Sequence, residues 1–215
     1  MVDARFPNLH ILDHPLIQHK LTQMRKKETS SELFRRLLKE IAMFMGYEVT
    51  RKLPTRKIQI ETPLASTEGL VVDQKEIAFV PILRAGLGMG DGFMELMPSA
   101  KEGHIGLYRD PATKRPVEYM VKLPCVDSHL FILLDPMIAT GYSATHAVNI
   151  LIERGVKRTD ISFVSLVVAP EGMTVFNEKY ADIPMFTAAM DDGLNEHAYI
   201  IPGLGDAGDR IFGTK

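Results

Sequence analysis

The stretch FILLDPMIATGYSATHAVNIL, residues 131–151, decides the architecture. Phe131 to Leu134 form an unbroken apolar run that stops at Asp135, and from Ser143 apolar residues return at three- and four-residue spacing. That rhythm predicts a strand, a loop rich in Thr, Gly and Ser, and a helix starting near Ser143. An unbroken rather than alternating apolar run suits a strand covered on both faces by helices. Ligands of such sheets sit at the carboxyl ends of the strands, where Asp135 stands. The loop aims free backbone N–H groups, the positive end of a helix dipole and the hydroxyls of Thr140 and Ser143 at one point, which suits a phosphate monoester. An ordinary helix N-cap preceded by an acid uses the same residue types. A Walker loop is excluded, because the Gly-Lys-Ser/Thr ending is missing.

Working outward, EIAFVPIL, GHIGLYRD, VEYMVKLP, DISFVSLVVA and IPMFTAAM read as further strands, and RKIQIET as another nearer the N-terminus. Between them lie the helical stretches GMGDGFMELM and EGMTVFNEKYA, and residues 14–49 are helical in pattern, with Thr29 and Glu32 spelling a capping box. The alternation predicts an α/β fold with a mainly parallel sheet flanked by helices. A single domain over 1–215 is expected, with a helical arm over 1–50 and a terminal segment over 190–215.

With 215 residues and 46% apolar side chains, the chain can bury a substantial core. Twenty-five Lys and Arg against 27 Asp and Glu leave a net charge of -2, so no whole-surface attraction to nucleic acid or to an anionic membrane is implied. The single cysteine, Cys125, excludes an internal disulfide. The start MVDARFPNLH has no signal-peptide pattern, and the expected location is cytoplasmic.

DPMIATGYS, residues 135–143, resembles the phosphoribosyl pyrophosphate (PRPP) signature of type I phosphoribosyltransferases, in the variant of the uracil phosphoribosyltransferase family where Pro follows the acid. VPILRAGLGM, GLYRDPATKRPVEYMVKLP, YIIPGLGDAGDRIFGT and HKLTQMRKKETSSELFR extend the resemblance over nearly the whole chain. Tyr142 departs from it, since the family more often has Gly there. If that position needs positive φ, Tyr costs backbone freedom.

The resemblance implies a type I phosphoribosyltransferase fold, a C-terminal hood over the base, and transfer of the 5-phosphoribosyl group from PRPP to N1 of uracil, giving UMP and pyrophosphate in pyrimidine salvage. It implies PRPP contacts from Arg84, Arg109, Asp135, Pro136, Met137, Ile138, Ala139, Thr140, Gly141, Tyr142, Ser143 and Asp206, with a phosphate cradle over 139–143. Arg84 and Arg109 would face the pyrophosphate, because a planar guanidinium makes two parallel charge-assisted hydrogen bonds. Small residues in AGLGMG would let backbone approach a ligand. Arg109 lies in YRDPATKRP, a turn that could close over the site. Mg2+ is the expected cofactor, held mainly through pyrophosphate and water with no direct protein ligand assigned. No separate general base emerges, and Asp135 and Asp206 are the contributing acids. Some relatives respond to GTP, which makes GTP a candidate effector, and the apolar N-terminal helices point to a homodimer or larger homo-oligomer. A nucleotide-sensing RNA-binding role would need a basic face that the balanced charge does not announce, and a purine substrate would need a different hood sequence.

PGLGDAGDRIFGTK closes the chain, and Gly203, Gly205 and Gly208 match G-x-G-x-x-G. Too few residues follow for a Rossmann unit with its helix, second strand and ribose-binding acid. The resemblance assigns the uracil site to Ile200, Gly205, Asp206 and Ala207, where glycines keep side chains away from a flat ring. His10 and His14 share the spacing of a helical metal pair with His19 nearby, but a solvated helix start explains them. Asp191 and Asp192 follow a strand and read as a turn.

Overall fold

The computed structural model describes residues 2–72, 76–109, 116–126 and 129–214, without the side chains of Val2, Asp3, Glu76, Arg109 and His129. Strand β1 (Phe6–Ile11) leads into helices α1 (Pro15–Arg25) and α2 (Ser31–Val49), followed by a hairpin of β2 (Thr55–Glu61) and β3 (Ser66–Val72). Next come β4 (Glu76–Leu83), α3 (Leu87–Leu96), β5 (His104–Arg109), β6 (Pro116–Lys122) and β7 (His129–Leu134). Helix α4 (Tyr142–Glu153), β8 (Ile161–Val168), α5 (Pro170–Tyr180), β9 (Met185–Met190) and α6 (Ala207–Phe212) complete the chain.

The main sheet runs β1-β9-β8-β7-β4-β5-β6. Every neighbouring pair in this path is parallel except β5 with β6, which form an antiparallel hairpin. After β4 the chain adds β5 on one side, and after β7 it builds β8 and β9 on the other, so the direction of winding reverses between β4 and β7. A crevice at the strand carboxyl ends opens at such a reversal. Arg84 and Asp135 are the residues that follow those two strands.

Both sheet faces are covered, which explains the unbroken apolar runs. Ile77 and Phe79 of β4 and Ile132 and Leu134 of β7 face a core closed by α1, α2 and α3. Ala78, Val80, Phe131 and Leu133 face the opposite core, closed by α4 and α5. Among the described residues no helix is long and apolar enough to cross a membrane.

The arm over 1–50 differs from its helical reading at both ends of detail. Residues 6–11 form a strand that extends the main sheet, Leu9 and His10 lying opposite Met185 and Phe186. Asn8 hides this strand in the sequence: it is buried, and its amide donates to the carbonyls of Tyr180 and Ile183. The cap of α2 is Ser30 rather than Thr29, with the Ser30 hydroxyl accepting from the Leu33 N–H, while the Thr29 hydroxyl donates to the Gln23 carbonyl.

Gly86 and Gly88 of AGLGMG serve packing. A Cβ on Gly86 would overlap the Leu134 carbonyl, and one on Gly88 would press on Leu38. Their absence lets α3 sit against β7 and α2.

Candidate active site

Asp135 leaves β7 as its N–H donates to the Val164 carbonyl at 3.2 Å, and Pro136 turns its carbonyl into the sheet, where Leu166 and Val167 donate to it. The loop then bends at Gly141, whose φ of 78° is the left-handed value that favours glycine. Tyr142 therefore begins α4 with the expected strain absent, because the positive φ falls one residue earlier. Helix α4 has no side-chain cap and no acid in its first turn. Its first N–H groups remain available to an anion.

The loop is held from behind by α5. A Cβ on Gly141 would overlap the Gly172 carbonyl, and a Cβ on Gly172 would overlap that of Ala139. Two backbones meet with no side chain between them, which fixes the loop's curvature.

In front of this loop lies a cavity of about 280 Å³ lined by Asp135, Met137, Ile138, Ala139, Thr140, Gly141, Ser143, Ala144 and Asp206. A second cavity, of about 200 Å³, is lined by Met137, Ala139, His197, Ala198, Tyr199, Ile200, Gly205 and Asp206. Met137, Ala139 and Asp206 belong to both, so the two spaces adjoin. The first lies at the N-terminus of α4. The second is bounded by Met137, Ile200, Gly205 and the turn of His197 to Tyr199.

Electrostatics divides the two acids. Asp135 keeps an opening to the cavity, yet burial of its carboxyl raises its pKa to about 7, with a hydrogen bond from the Met137 N–H working against the shift and the Asp206 charge adding to it. Asp206 caps α6, its carboxylate accepting from the Asp209 N–H at 2.9 Å. Among the described residues no three His, Cys, Asp or Glu side chains come together to hold a metal. Two acids in one cavity fit Mg2+ carried in on substrate phosphates, the usual way this ion is bound.

The remaining sequence candidates are spread around this centre. Arg84 is exposed, with its guanidinium 5.3 Å from the centroid of the Phe212 ring in α6. The Arg109 backbone pairs with Pro116 at the end of the β5–β6 hairpin, while its side chain and residues 110–115 lie outside the described residues. Pro136 is buried where β7 ends beside β8, and Ala207 packs into the core beside Ile211. Tyr142 lines a separate cleft with Pro116, His146 and Asn149. His10 and His14 share no helix: His10 stacks on Phe186, and His14 caps α1 by accepting from the Leu16 N–H.

Three residues that sequence reasoning passed over line the second cavity. Asn195 folds the turn that carries His197, Ala198 and Tyr199, its side-chain oxygen accepting from the N–H groups of His197 and Tyr199. Ala198 there has a φ of 61°. Turn residues flanked by Gly and Asn carry no motif of their own, so only their place beside the glycine-rich tail could have marked them.

The family model described as uracil phosphoribosyltransferase matches residues 11–214. The chain is 58% identical over 213 residues to a uracil phosphoribosyltransferase of Paraburkholderia phymatum, spanning 99% of this chain and 98% of that protein. A Burkholderia multivorans protein of the same name is 59% identical over the same spans. Among solved structures, the AQ2163 protein from Aquifex aeolicus superposes with a TM-score of 0.89 at 34% identity, covering 95% of this chain and 97% of that one. Adenine phosphoribosyl transferase from Trypanosoma brucei, in complex with AMP, pyrophosphate and ribose-5-phosphate, shares the fold at a TM-score of 0.61 and 14% identity, over 96% of this chain and 91% of that one.

Proposed function

The chain belongs to the uracil phosphoribosyltransferase family, and from that premise we propose how its residues transfer the 5-phosphoribosyl group of PRPP to N1 of uracil, giving UMP and pyrophosphate. The observation that carries the assignment is the pair of adjoining cavities sharing Met137, Ala139 and Asp206. PRPP takes the one at the 135–143 loop, and uracil takes the one under the hood.

The 5-phosphate sits on the N–H groups of residues 139–143 and the hydroxyls of Thr140 and Ser143, at the positive end of α4. Asp135 orders the ribose hydroxyls from the end of β7. The pyrophosphate lies toward Arg84 and Arg109, whose forked donors match its oxygens. Asp135 and Asp206 would hold Mg2+ brought in with PRPP, and the ion would supply charge neutralisation for the leaving pyrophosphate. Uracil lies against Ile200, Gly205 and Asp206, its edge read by backbone groups.

In the reaction the bond from C1 to the pyrophosphate oxygen breaks, the bond from C1 to N1 forms, and the N1 proton passes to solvent or to the departing pyrophosphate. Positive charge grows at C1 between the two, and the carboxylates of Asp135 and Asp206 are the negative groups of the site that can offset it. Neither is assigned as a separate general base.

The exposed apolar side chains of Leu64, Leu70 and Val72 on the β2–β3 hairpin support a homodimer or larger assembly, which light scattering on the purified chain tests. The central experiment supplies PRPP with each free nucleobase and follows pyrophosphate release, with and without GTP. Release with uracil and not with purines is expected, and release with a purine alone would overturn the uracil assignment. Faster release with GTP would support the effector reading.

A further inference from the structure

The hood is gripped from outside by the N-terminal arm. Arg25, the last residue of α1, places Nη1 2.7 Å from Oδ2 of Asp191 and Nη2 2.6 Å from Oδ1, a two-pronged ion pair. The same Nη1 donates to the Gly203 carbonyl at 2.6 Å. Asp191 then accepts from the Gly203 N–H at 2.9 Å, so one ion pair holds both polar groups of a single residue. Gly203 lies between Ile200 and Gly205, which both line the base cavity, and its φ of 60° has to be held for the loop to pass.

A second arginine extends the grip. Arg210 donates to the Leu204 carbonyl at 2.9 Å and to the Lys26 carbonyl at 2.7 Å, with its guanidinium 4.4 Å from the centroid of the Phe34 ring. The polar groups of Gly203 and the Leu204 carbonyl are thus engaged away from the cavity. Gly205 has no hydrogen bond of its own among the described residues and is left to face a ligand. Asp191 has only 4% of its side chain exposed and Arg25 22%, so solvent cannot readily substitute for either partner.

Building on the uracil assignment above, we propose that Arg25 and Asp191 are a positioning pair for the base: they set the orientation of the Gly203 peptide and, through it, the backbone of residues 200–206 that reads uracil. Neither touches the PRPP cavity. Their effect therefore falls chiefly on the base, since Asp206 is the one residue of this segment that also lines the PRPP cavity. Preorganised peptide groups lose binding steeply when displaced, whereas the 139–143 cradle rests on α4 and α5 and does not depend on this pair.

The test uses the full chain and the variants Arg25→Gln, Asp191→Asn and Arg25→Lys, with uracil and PRPP varied separately. We expect the uracil KM to rise about tenfold to a hundredfold, the scale of a reacting group displaced by an ångström, while the PRPP KM changes by less than about twofold. Arg25→Lys should fall between wild type and Arg25→Gln, because an ammonium keeps the charge but cannot hold both Asp191 oxygens in parallel. Unchanged uracil KM, or equal rises for both substrates, would overturn the positioning role. Should Arg25→Gln or Asp191→Asn fail to fold, Arg25→Lys decides by the same split. A wild-type chain that makes no UMP would instead overturn the uracil assignment on which this rests.

Discussion

Asp135, at the end of β7, and Asp206, at the cap of α6, reach one cavity, and burial, with the Asp206 charge adding to it, raises the pKa of Asp135 to about 7. In the unfolded chain the same group ionises near its ordinary value of 3.8. Between these values the folded chain holds the extra proton, so this group's contribution to stability falls as pH rises through the window and stays lost above it. The melting temperature of the ligand-free wild type, less that of Asp135→Asn, should therefore drop between about pH 5 and about pH 8. PRPP affinity should move the other way, strengthening as Asp135 ionises, with a shallower pH dependence in the variant. A constant difference in melting temperature would place the Asp135 titration outside this range.

Gly172 holds the phosphate loop by having no side chain. Alanine there would drive a Cβ into the Ala139 carbonyl and against the Ile138 carbonyl, and both belong to the loop backbone. Gly172→Ala should cost about 1–3 kcal/mol of stability, as overpacking does, and weaken PRPP binding at the same time. Chemical denaturation and a PRPP thermal shift measure the two effects. Full PRPP affinity in a folded variant would mean that the cradle does not need this contact.

Arg84 lies over the ring of Phe212, so the C-terminal helix rests on a pyrophosphate-site candidate. Arg84→Ala should raise the PRPP KM by the equivalent of about 1.5–3 kcal/mol, the range for hydrogen bonds to charged groups. Phe212→Leu removes only the ring face and should cost about 0.5–1 kcal/mol. If the uracil KM responds to Arg84→Ala more than the PRPP KM does, the arginine belongs to the other site.

What the sequence made legible was whatever repeats locally. The runs of β7 and β8 are continuous because both faces of the sheet are covered, and the loop after Asp135 carries its residue types in one short segment. Strand β1 escaped because the polar Asn8 interrupts it, a side chain whose partners Tyr180 and Ile183 lie far along the chain. Likewise Asp191 read as a turn residue, since its partner Arg25 is 166 positions away. Long-range pairs of this kind leave no period or motif. The glycines of the tail were legible as turn formers, but the rim residues His197, Ala198 and Tyr199 were not, because their role comes from a turn shaped by Asn195.

Tyr142 tests whether the departure from the family pattern carries a cost. It occupies the first position of α4 and the left-handed residue is Gly141, so restoring glycine at 142 relieves no strain. Tyr142→Gly should lower stability by up to about 1 kcal/mol through helix propensity and leave the PRPP KM nearly unchanged. A tighter PRPP KM in the variant would show that the tyrosine obstructs the cradle.

Gly205 separates the two substrates most sharply. Its φ is 76°, and a Cβ there would meet only the Arg210 Cδ at 3.5 Å, an ordinary contact. Space for one carbon is therefore available, and the cost of substitution is conformational: a left-handed backbone with a side chain costs about 1–2 kcal/mol, and a β-branched side chain tolerates it least. Gly205→Val should relax toward negative φ, turning the peptide groups beside Ile200 and Asp206 away from the base cavity. The phosphate loop rests on α4 and α5 and is not touched by this change. PRPP with magnesium should still raise the melting temperature of the variant by mass action, while UMP formation is lost. Gly205→Ala, with the same φ to hold and less bulk, should retain partial uracil use. Normal UMP formation by Gly205→Val would refute the base-site assignment of the tail, and loss of the PRPP shift in Gly205→Ala as well would show that the tail supports both sites.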